Sequence, residues 1–320
     1  MASRRRKIRT NWIEKASDIL SPLDEPLQSV IIRSGNQHSD ETTLKCCDQR
    51  LPGRQEKESD VEEEQHYFKR WIFCHYSPSV KLTQFDFYKR GRRTQEALTS
   101  YLKDVREKLW VHSDGAQLYK CYDHGELIYR VACLVHMRRP FYKLKDSSED
   151  ASRIVKICDE IFHRDKLIKQ AYTSVEEISR ERIIQIGPLL NEFKQMLTSL
   201  SESLNKEDDP ELLKAVNYAL KEYSCILHCL KDGSLDFSNN VCERQIRKIA
   251  KYRNNSFFVG SPESGVRYAR LMSVFANIRN HNLDPKTYLC DVFRRIGKTA
   301  KEDLETLLAH LWTPQAVQNL

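Results

Sequence analysis

Apolar residues recur at helical spacing in several separate parts of the chain. Near the start, Trp12, Ala16, Ile19 and Leu20 lie on one face of a predicted helix over residues 11–32, which Pro22 interrupts. The same spacing predicts a helix over 94–107, long helices across 143–230, and C-terminal helices over 265–280, 285–296 and 303–311. The highly charged residues 48–65 between these elements are predicted to form a solvated loop without chemistry.

Five other segments have the pattern of β-strands. QHSDETTLKCC over 37–47 is short and Thr-containing. The aromatic, β-prone run over 66–76 is joined by Ser-Pro-Ser to the alternating run over 81–88. This arrangement predicts three consecutive antiparallel strands, the last two forming a hairpin. The apolar runs LWVHSDG over 109–115 and LIYRVACLV over 127–135 each predict a buried strand.

The order of these elements predicts a mixed α/β fold rather than an all-α or sandwich fold, because strands and helices alternate in the first half. The long helices that follow are predicted to be a helical insertion, separable from the α/β body. The predicted organisation is an N-terminal helical segment over 1–36, a first part of the core over 37–145, the insertion over 146–231, and a second part of the core with C-terminal helices over 232–320.

Composition narrows the class of protein. Hydrophobic residues make up 40% and charged residues 30%, which is typical of a soluble globular protein, and no apolar stretch approaches the length of a membrane span. The net charge of +7 permits a polyanionic partner. Ten cysteines without a secretory leader favour reduced thiols in the cytosol. Cys133 with His136, and Cys225 with His228, have the spacing of metal ligands, but packing is the favoured interpretation.

A basic helix is predicted after the paired residues Asn239 and Asn240. Its first turn carries Glu243, and the cations that follow are Arg244, Arg247, Lys248, Lys251 and Arg253. One interpretation is structural, since Asn240 and Glu243 have the spacing of a capping box and Glu243 with Arg247 that of a helical ion pair. The other is functional: the acid holds a metal while the cations hold phosphates. Taken alone, this stretch favours the structural interpretation.

Two further carboxylates change that balance. Asp40 lies on the first predicted strand, and Asp114 lies at the end of the strand after the first core helix. Three acids from different elements suit two-metal phosphoryl chemistry, which needs hard oxygen ligands around two Mg²⁺ ions. A capping box alone does not predict the two upstream acids.

Four motifs resemble the catalytic core of the insertion-sequence 66 family of bacterial transposases. They are HSDETTLK from His38, VHSDGAQLY from Val111, VACLVHMRRPFYKL from Val131, and DGSLDFSNNVCERQIRKIAKYRNNSFFVGSPESG from Asp232. The last motif is the most specific. With NHNLDPKTYLCDVFRRI near the C-terminus, the resemblance covers nearly the whole chain.

The resemblance implies a ribonuclease-H-like fold in which Asp40, Asp114 and Glu243 form an Asp-Asp-Glu triad. Two Mg²⁺ ions, for which Mn²⁺ can substitute, would be the cofactors. DNA, both transposon ends and target, would be the partner, bound by a homo-oligomer with accessory transposon-encoded proteins in the bacterial cytoplasm at the nucleoid. The residues assigned to DNA are Arg138, Arg139, Arg244, Arg247, Lys248, Lys251 and Arg253, and those assigned supporting roles are His136, Asn239 and Asn240.

The beginning of the chain leaves other interpretations open. Family members carry a coiled coil, a Cys-rich motif and a helix-turn-helix before the catalytic domain, whereas this chain begins shortly before HSDETTLK. We therefore expect a truncated or separated copy. One alternative is an inactive relic that only binds DNA. Another is a helical interaction protein in which the three acids are caps and surface charges.

Overall fold

The computed structural model describes residues 2–47, 67–88, 93–123, 126–205, 207, 209–255 and 259–314, without the side chains of 2–10, 47, 67, 68 and 255. The predicted loop over 48–65 lies outside the described residues. At the start of the last described range, Val259 donates its N–H to the Lys45 carbonyl at 2.9 Å.

The elements alternate as the sequence predicts. The strands are β1 Asn36–Cys47, β2 Tyr67–Ser77, β3 Leu82–Phe87, β4 Leu109–Ser113 and β5 Ile128–Ala132. The α-helices are α1 Ala2–Ile19, α2 Asp24–Arg33, α3 Gln95–Tyr101, α4 Leu134–Leu144, α5 Glu149–Ala171, α6 Val175–Gln185, α7 Gly187–Ser203, α8 Pro210–Ile226, α9 His228–Lys231, α10 Asn240–Asn255, α11 Pro262–Asn280 and α12 Pro285–Arg295.

The strands belong to a five-stranded sheet in the order β3-β2-β1-β4-β5, so the predicted α/β class is confirmed. The predicted meander is also confirmed. Strands β1 and β2 pair antiparallel with Asp40 opposite Cys74, and β2 and β3 pair antiparallel with Cys74 opposite Phe85. Directly opposite residues point to the same face of a sheet, so this register fixes which side chains of the meander lie together.

Two predicted boundaries and one predicted helix type were wrong. The strand expected over 127–135 ends at Ala132, and α4 begins at Leu134, because a continuous apolar run does not distinguish a strand from a buried helical turn. Helix α3 ends at Tyr101 rather than near residue 107. The closing α-helix expected over 303–311 is a 3₁₀ helix, Lys301–Leu307. The predicted break at Pro22 is confirmed, and it takes the form of a 3₁₀ turn.

The chain divides into two compact units, Met1–Leu109 with Val241–Leu320, and Trp110–Asn240. The first unit has a core in which the meander packs against α10 and α11, through Leu44, Ile72, Cys74, Phe85, Cys242, Ile246 and Ile249 among others. In the second unit, residues of β4 and β5 share one apolar core with α4 to α8. The domain boundaries expected from the sequence at 145/146 and 231/232 thus differ from these unit boundaries and stay predictions.

Two observations concern the class of protein. Within the described part of the chain, no helix has the length and apolar character needed to cross a membrane. The nine cysteines whose side chains are described are free thiols, and seven of them are buried.

The outer edge of β3 is covered by side chains of α11. Thr83 donates its N–H to Asn277 Oδ1 at 2.6 Å and accepts from Asn277 Nδ2 at 3.0 Å, while Phe85 donates its N–H to Ser273 Oγ at 2.8 Å. An open strand edge exposes unpaired backbone groups and invites association with another chain. Here helix side chains take the place of a sixth strand.

Replacing Asn277 by Ala is expected to lower the free energy of unfolding by about 2–4 kcal/mol, because it leaves both backbone groups of buried Thr83 unpaired. Urea unfolding of the purified chain measures this loss. Asn280→Ala is the control: Asn280 bonds Lys81 and Thr83 at a more exposed position, so its loss should be less than half as large. Equal losses for the two variants would contradict the edge-covering role.

Candidate active site

Asp40 lies in the middle of β1, on the face of the meander that α10 covers. Its cross-strand partner is Cys74, whose side chain belongs to the core beneath α10. The carboxylate is partly exposed, and its Oδ1 accepts a hydrogen bond from the Glu41 N–H at 2.8 Å. The strand therefore holds an acid at the edge of an apolar interface and leaves part of it accessible.

The first turn of α10 lies against this position. Cys242, which directly precedes Glu243, donates its thiol hydrogen to the Cys74 carbonyl at 3.5 Å. Burial, the neighbouring Cys74 thiol and the negative charge of Asp40 together raise the pKa of the Cys242 thiol well above its usual value. Within the first unit, the fold thus brings Asp40 and the residue next to Glu243 into the same neighbourhood.

Glu243 itself lies on the flank of α10. The sheet-facing residues are Cys242, Ile246 and Ile249, all buried, and helix geometry turns Glu243 about 100° away from Cys242. The opposite flank, with Gln245 and Tyr252, faces α11: Gln245 bonds Asn280 at 3.4 Å and Tyr252 packs on Tyr268. Glu243 is therefore partly exposed on the side away from α11.

The far end of α10 is fastened to β1. Arg253 donates from Nη1 to Thr42 Oγ1 at 3.2 Å and to the Thr43 carbonyl at 3.1 Å. Further along β1, the Cys46 thiol donates to the Gly260 carbonyl at 2.9 Å. Arg253 was predicted to bind DNA, and in the structure its guanidinium sets the register of α10 on β1.

The other predicted cations of α10 fall into two groups. Arg244, Arg247 and Lys251 are exposed and lie on one face of the helix, as their spacing requires. Lys248 is partly buried and donates to Gln245 Oε1 at 2.6 Å. Partial burial and the nearby charge of Arg279 lower the pKa of Lys248 to about 8. The exposed group is thus the one available to an external anion.

Asp114 follows β4 in the second unit. Its partly exposed carboxylate accepts a hydrogen bond from the Ala116 N–H at 3.0 Å, which closes a tight turn around Gly115. Tyr218 and Glu222 of α8 contact this turn: a Cβ on Gly115 would lie 2.5 Å from Tyr218 Cε2 and 2.9 Å from Glu222 Cδ. Sequence reasoning missed both residues, since the helices after residue 146 offered no motif, and the glycine after Asp114 was the only available signal.

The remaining predicted residues near the site lie on α4. Arg138 forms a two-pronged ion pair with Asp159, at 2.8 Å and 3.0 Å, and its guanidinium packs over the Tyr142 ring. Arg139 is exposed and His136 is partly buried. Arg138 is therefore anchored within its unit, whereas Arg139 is open to a ligand.

The segment before α10 is bound tightly within the second unit. Buried Asn239 donates its N–H to Cys133 Sγ at 3.2 Å, and the Phe237 carbonyl accepts from Leu134 at 2.8 Å. Asn240 is the first residue of α10. The fully buried guanidinium of Arg182 donates to the carbonyls of Cys229, Asp232 and Leu235 and to the Asp165 carboxylate. These bonds fix the point from which α10 starts.

The three predicted acids supply suitable donors for magnesium, because each presents a partly exposed carboxylate. Among the described side chains of His, Cys, Asp and Glu, however, no group of three or more is arranged to hold a metal ion. The structure relates Asp40 to the first turn of α10 within one unit, while Asp114 belongs to the other. The triad therefore stays a prediction.

Comparisons with known proteins agree with the motifs. The chain is 33% identical over 190 residues to the uncharacterized protein y4jD of Sinorhizobium fredii, which covers 58% of this chain and 36% of that protein. It is 30% identical over 194 residues to the uncharacterized protein y4hP of the same strain, covering 56% and 34%. The chain thus spans about a third of the length of the curated relatives it matches. No solved structure shows a significant match.

A family comparison covers far more of the chain. The family described as "Transposase IS66 family" matches residues 4–267, which include β1 with Asp40, the turn with Asp114 and α10 with Glu243. The match extends over most of the chain's length, and the predicted family is confirmed: this chain belongs to the IS66 family of transposases.

Proposed function

We propose that the chain is the catalytic core of a metal-dependent transposase, which cleaves phosphodiester bonds at the ends of an insertion sequence and joins the ends to target DNA. Family membership supports a role in transposition. The observation that carries the catalytic part of the proposal is the approach of α10 to Asp40, through Cys242 and Cys74. This contact brings two of the three acids onto neighbouring elements of one rigid core.

A ribonuclease-H-like fold is part of the proposal. Its support is the element order: an antiparallel meander, a helix, a strand, a short helical turn and a further strand, with α10 later returning to cover the meander. The helices of residues 146–231 would be the helical insertion.

Asp40, Asp114 and Glu243 would hold two divalent cations through their carboxylate oxygens. When bound, the cations would neutralise charge on the scissile phosphate and favour deprotonation of the attacking water or 3′-hydroxyl. The chain's own contribution is rigid placement: β1 holds Asp40 by strand pairing, and the Arg253 and Cys242 contacts hold α10. Such placement converts a reaction between separate partners into one within a complex.

Arg244, Arg247 and Lys251 would hold the phosphates that flank the scissile bond. They are exposed on the face of α10 that does not contact the sheet, beginning one residue after Glu243. Arg139 of α4 is a further exposed cation assigned to DNA. We also propose that the chain acts in the bacterial cytoplasm. There it would bind DNA as a homo-oligomer, together with accessory transposon-encoded proteins.

Replacing Arg244, Arg247 and Lys251 together by Ala is expected to weaken DNA binding and to make the binding constant less dependent on salt concentration. Each phosphate contact contributes about −0.9 to the slope of log K against log salt concentration, so the slope of the triple variant should be shallower by up to about 2.7. Fluorescence anisotropy over a series of KCl concentrations measures the slope. Arg294→Ala removes an exposed arginine from α12 of the same unit and should leave the slope as in the wild type. An unchanged slope for the triple variant would remove these residues from the DNA interface.

The proposal is tested with the purified chain, Mn²⁺, and a supercoiled plasmid that carries the element's own ends. Nicking at the ends, abolished by EDTA, is the expected result. Binding without nicking would favour the alternative of a relic that only binds DNA. Neither binding nor nicking would favour an interaction protein in which the acids are caps and surface charges.

A further inference from the structure

The turn that carries Asp114 is shaped by a helix of the insertion. Gly115 lies so close to α8 that a Cβ at this position would come within 2.6 Å of Tyr218 Oη, and closer still to its ring carbon Cε2. Glu222, one helical turn further along α8, also lies against Gly115. Only glycine fits here without displacing side chains from α8. Close approach of α8 therefore dictates the residue next to Asp114.

Glu222, which contacts the turn from α8, is itself held rigidly. Glu222 is 1% exposed, and its Oε2 forms an ion pair with the fully buried Arg130 of β5. Arg130 is also paired with Asp123, so its guanidinium is held from two sides. Lys120 lies 3.9 Å from Glu222. A buried carboxylate that is ion-paired to a buried arginine does not move readily, which fixes α8 relative to β5.

Tyr218 makes the direct contact. Its hydroxyl lies against the Gly115 backbone, since a Cβ on Gly115 would come within 2.6 Å of Tyr218 Oη. Burial, with the charges of Glu222 and Asp114, raises the pKa of Tyr218 well above its usual value. The contact of this ring and hydroxyl with Gly115 holds the turn against α8.

We propose that Tyr218 is a positioning residue for Asp114: its hydroxyl anchors Gly115, and this anchor keeps the Asp114 carboxylate in the orientation that binds a divalent cation. The inference rests on the proposed function, since it assumes that Asp114 is a metal ligand. It assigns the helical insertion a part in the active site, which the sequence did not suggest.

The test measures Mn²⁺ affinity of the full chain by electron paramagnetic resonance of free Mn²⁺, without any DNA reaction. Tyr218→Phe keeps the ring but removes the hydroxyl that contacts Gly115. Loss of an outer-shell partner typically weakens metal affinity 10–100-fold, and we expect a loss of about tenfold here. Tyr223→Phe is the matched control, since this tyrosine of α8 donates to the Leu190 carbonyl at 3.1 Å away from the turn. Its Mn²⁺ affinity should equal that of the wild type.

Thermal unfolding separates positioning from stability. Both Phe variants lose one hydroxyl of α8, so similar small decreases in Tm are expected, with weaker Mn²⁺ binding for Tyr218→Phe alone. Equal Mn²⁺ affinities for the two variants would overturn the role of Tyr218 and leave the proposed function standing. Asp114→Asn tests the metal site itself. If this substitution left the Mn²⁺ affinity unchanged, the proposed metal site would be overturned, and the role of Tyr218 with it.

Discussion

Replacing Asp40 by Asn is expected to lower metal-dependent DNA cleavage about 10³-fold while the fold stays intact. The amide keeps the size of the carboxylate but lacks its negative charge, so the attraction to a divalent cation is lost at the point where charge develops in the reaction. Asp40 is partly exposed, and the amide oxygen of Asn can still accept the hydrogen bond from the Glu41 N–H. The effect should therefore appear in the rate of plasmid nicking and scarcely in thermal stability.

The matched control is Asp86→Asn, on β3 of the same sheet. Asp86 is paired with Phe73, one position out of phase with the Cys74–Phe85 pair, so it lies on the face opposite to α10. Burial and the nearby charge of Asp24 raise its pKa to about 6, so Asp86→Asn is a second neutralisation of a carboxylate on the same sheet, away from α10. Nicking by Asp86→Asn should match the wild type. If Asp40→Asn also nicked at the wild-type rate, Asp40 would have no catalytic role.

Replacing Arg182 by Leu is expected to lower the free energy of unfolding by about 3–5 kcal/mol, the largest effect on stability that we expect. Its side chain is fully buried and donates four hydrogen bonds, one to Asp165 and three to backbone carbonyls between Cys229 and Leu235. Without the guanidinium the carbonyls of Cys229 and Leu235 lose this donor inside the protein, while Asp165 retains Lys169 and the Asp232 carbonyl retains the Leu235 N–H. Urea unfolding monitored by circular dichroism measures the loss.

Arg180→Leu is the control for this substitution. Arg180 lies two residues earlier on α6, its side chain is 65% exposed, and Glu181 at 3.9 Å is a weak partner. The change in unfolding free energy should be below about 1 kcal/mol, as is usual for exposed ion pairs. Comparable losses for the two variants would show that the guanidinium of Arg182 does not hold the segment before α10.

The β-prone residues of 66–76, the alternation in 81–88 and the Ser-Pro-Ser turn were sufficient to predict the meander and its order. In the structure, the apolar residues of β2 and β3 that pack under α10, Ile72, Cys74, Phe85 and Phe87, recur at every second position, and β1 follows with Leu44 and Cys46. That pattern fixes the face on which Asp40 lies. Apolar and polar spacing likewise predicted α10, on which Glu243 lies beside the buried residues Cys242 and Ile246. Both features are local, so a single sequence contains them.

Features that depend on distant partners could not be predicted. The contact of Tyr218 with Gly115 joins α8 to the turn after β4, and no local spacing relates the two. Arg253 had the composition of a DNA contact, yet its partners Thr42 and Thr43 lie on β1, far away in sequence. The motif from Asp232 is partly structural as well, because Asp232 accepts from Trp110 Nε1 at 3.0 Å and Asp236 pairs with Lys169.

The central claim is that Asp40, Asp114 and Glu243 hold a pair of divalent cations. Anomalous diffraction from crystals grown with Mn²⁺ locates the ions independently of any activity. We expect two peaks roughly 4 Å apart, with carboxylate oxygens of all three residues within about 2.3 Å of one or the other. Crystals that contain Mn²⁺ only at other carboxylates, with Asp40 and Glu243 making no contact to an ion at saturating concentration, would contradict the account.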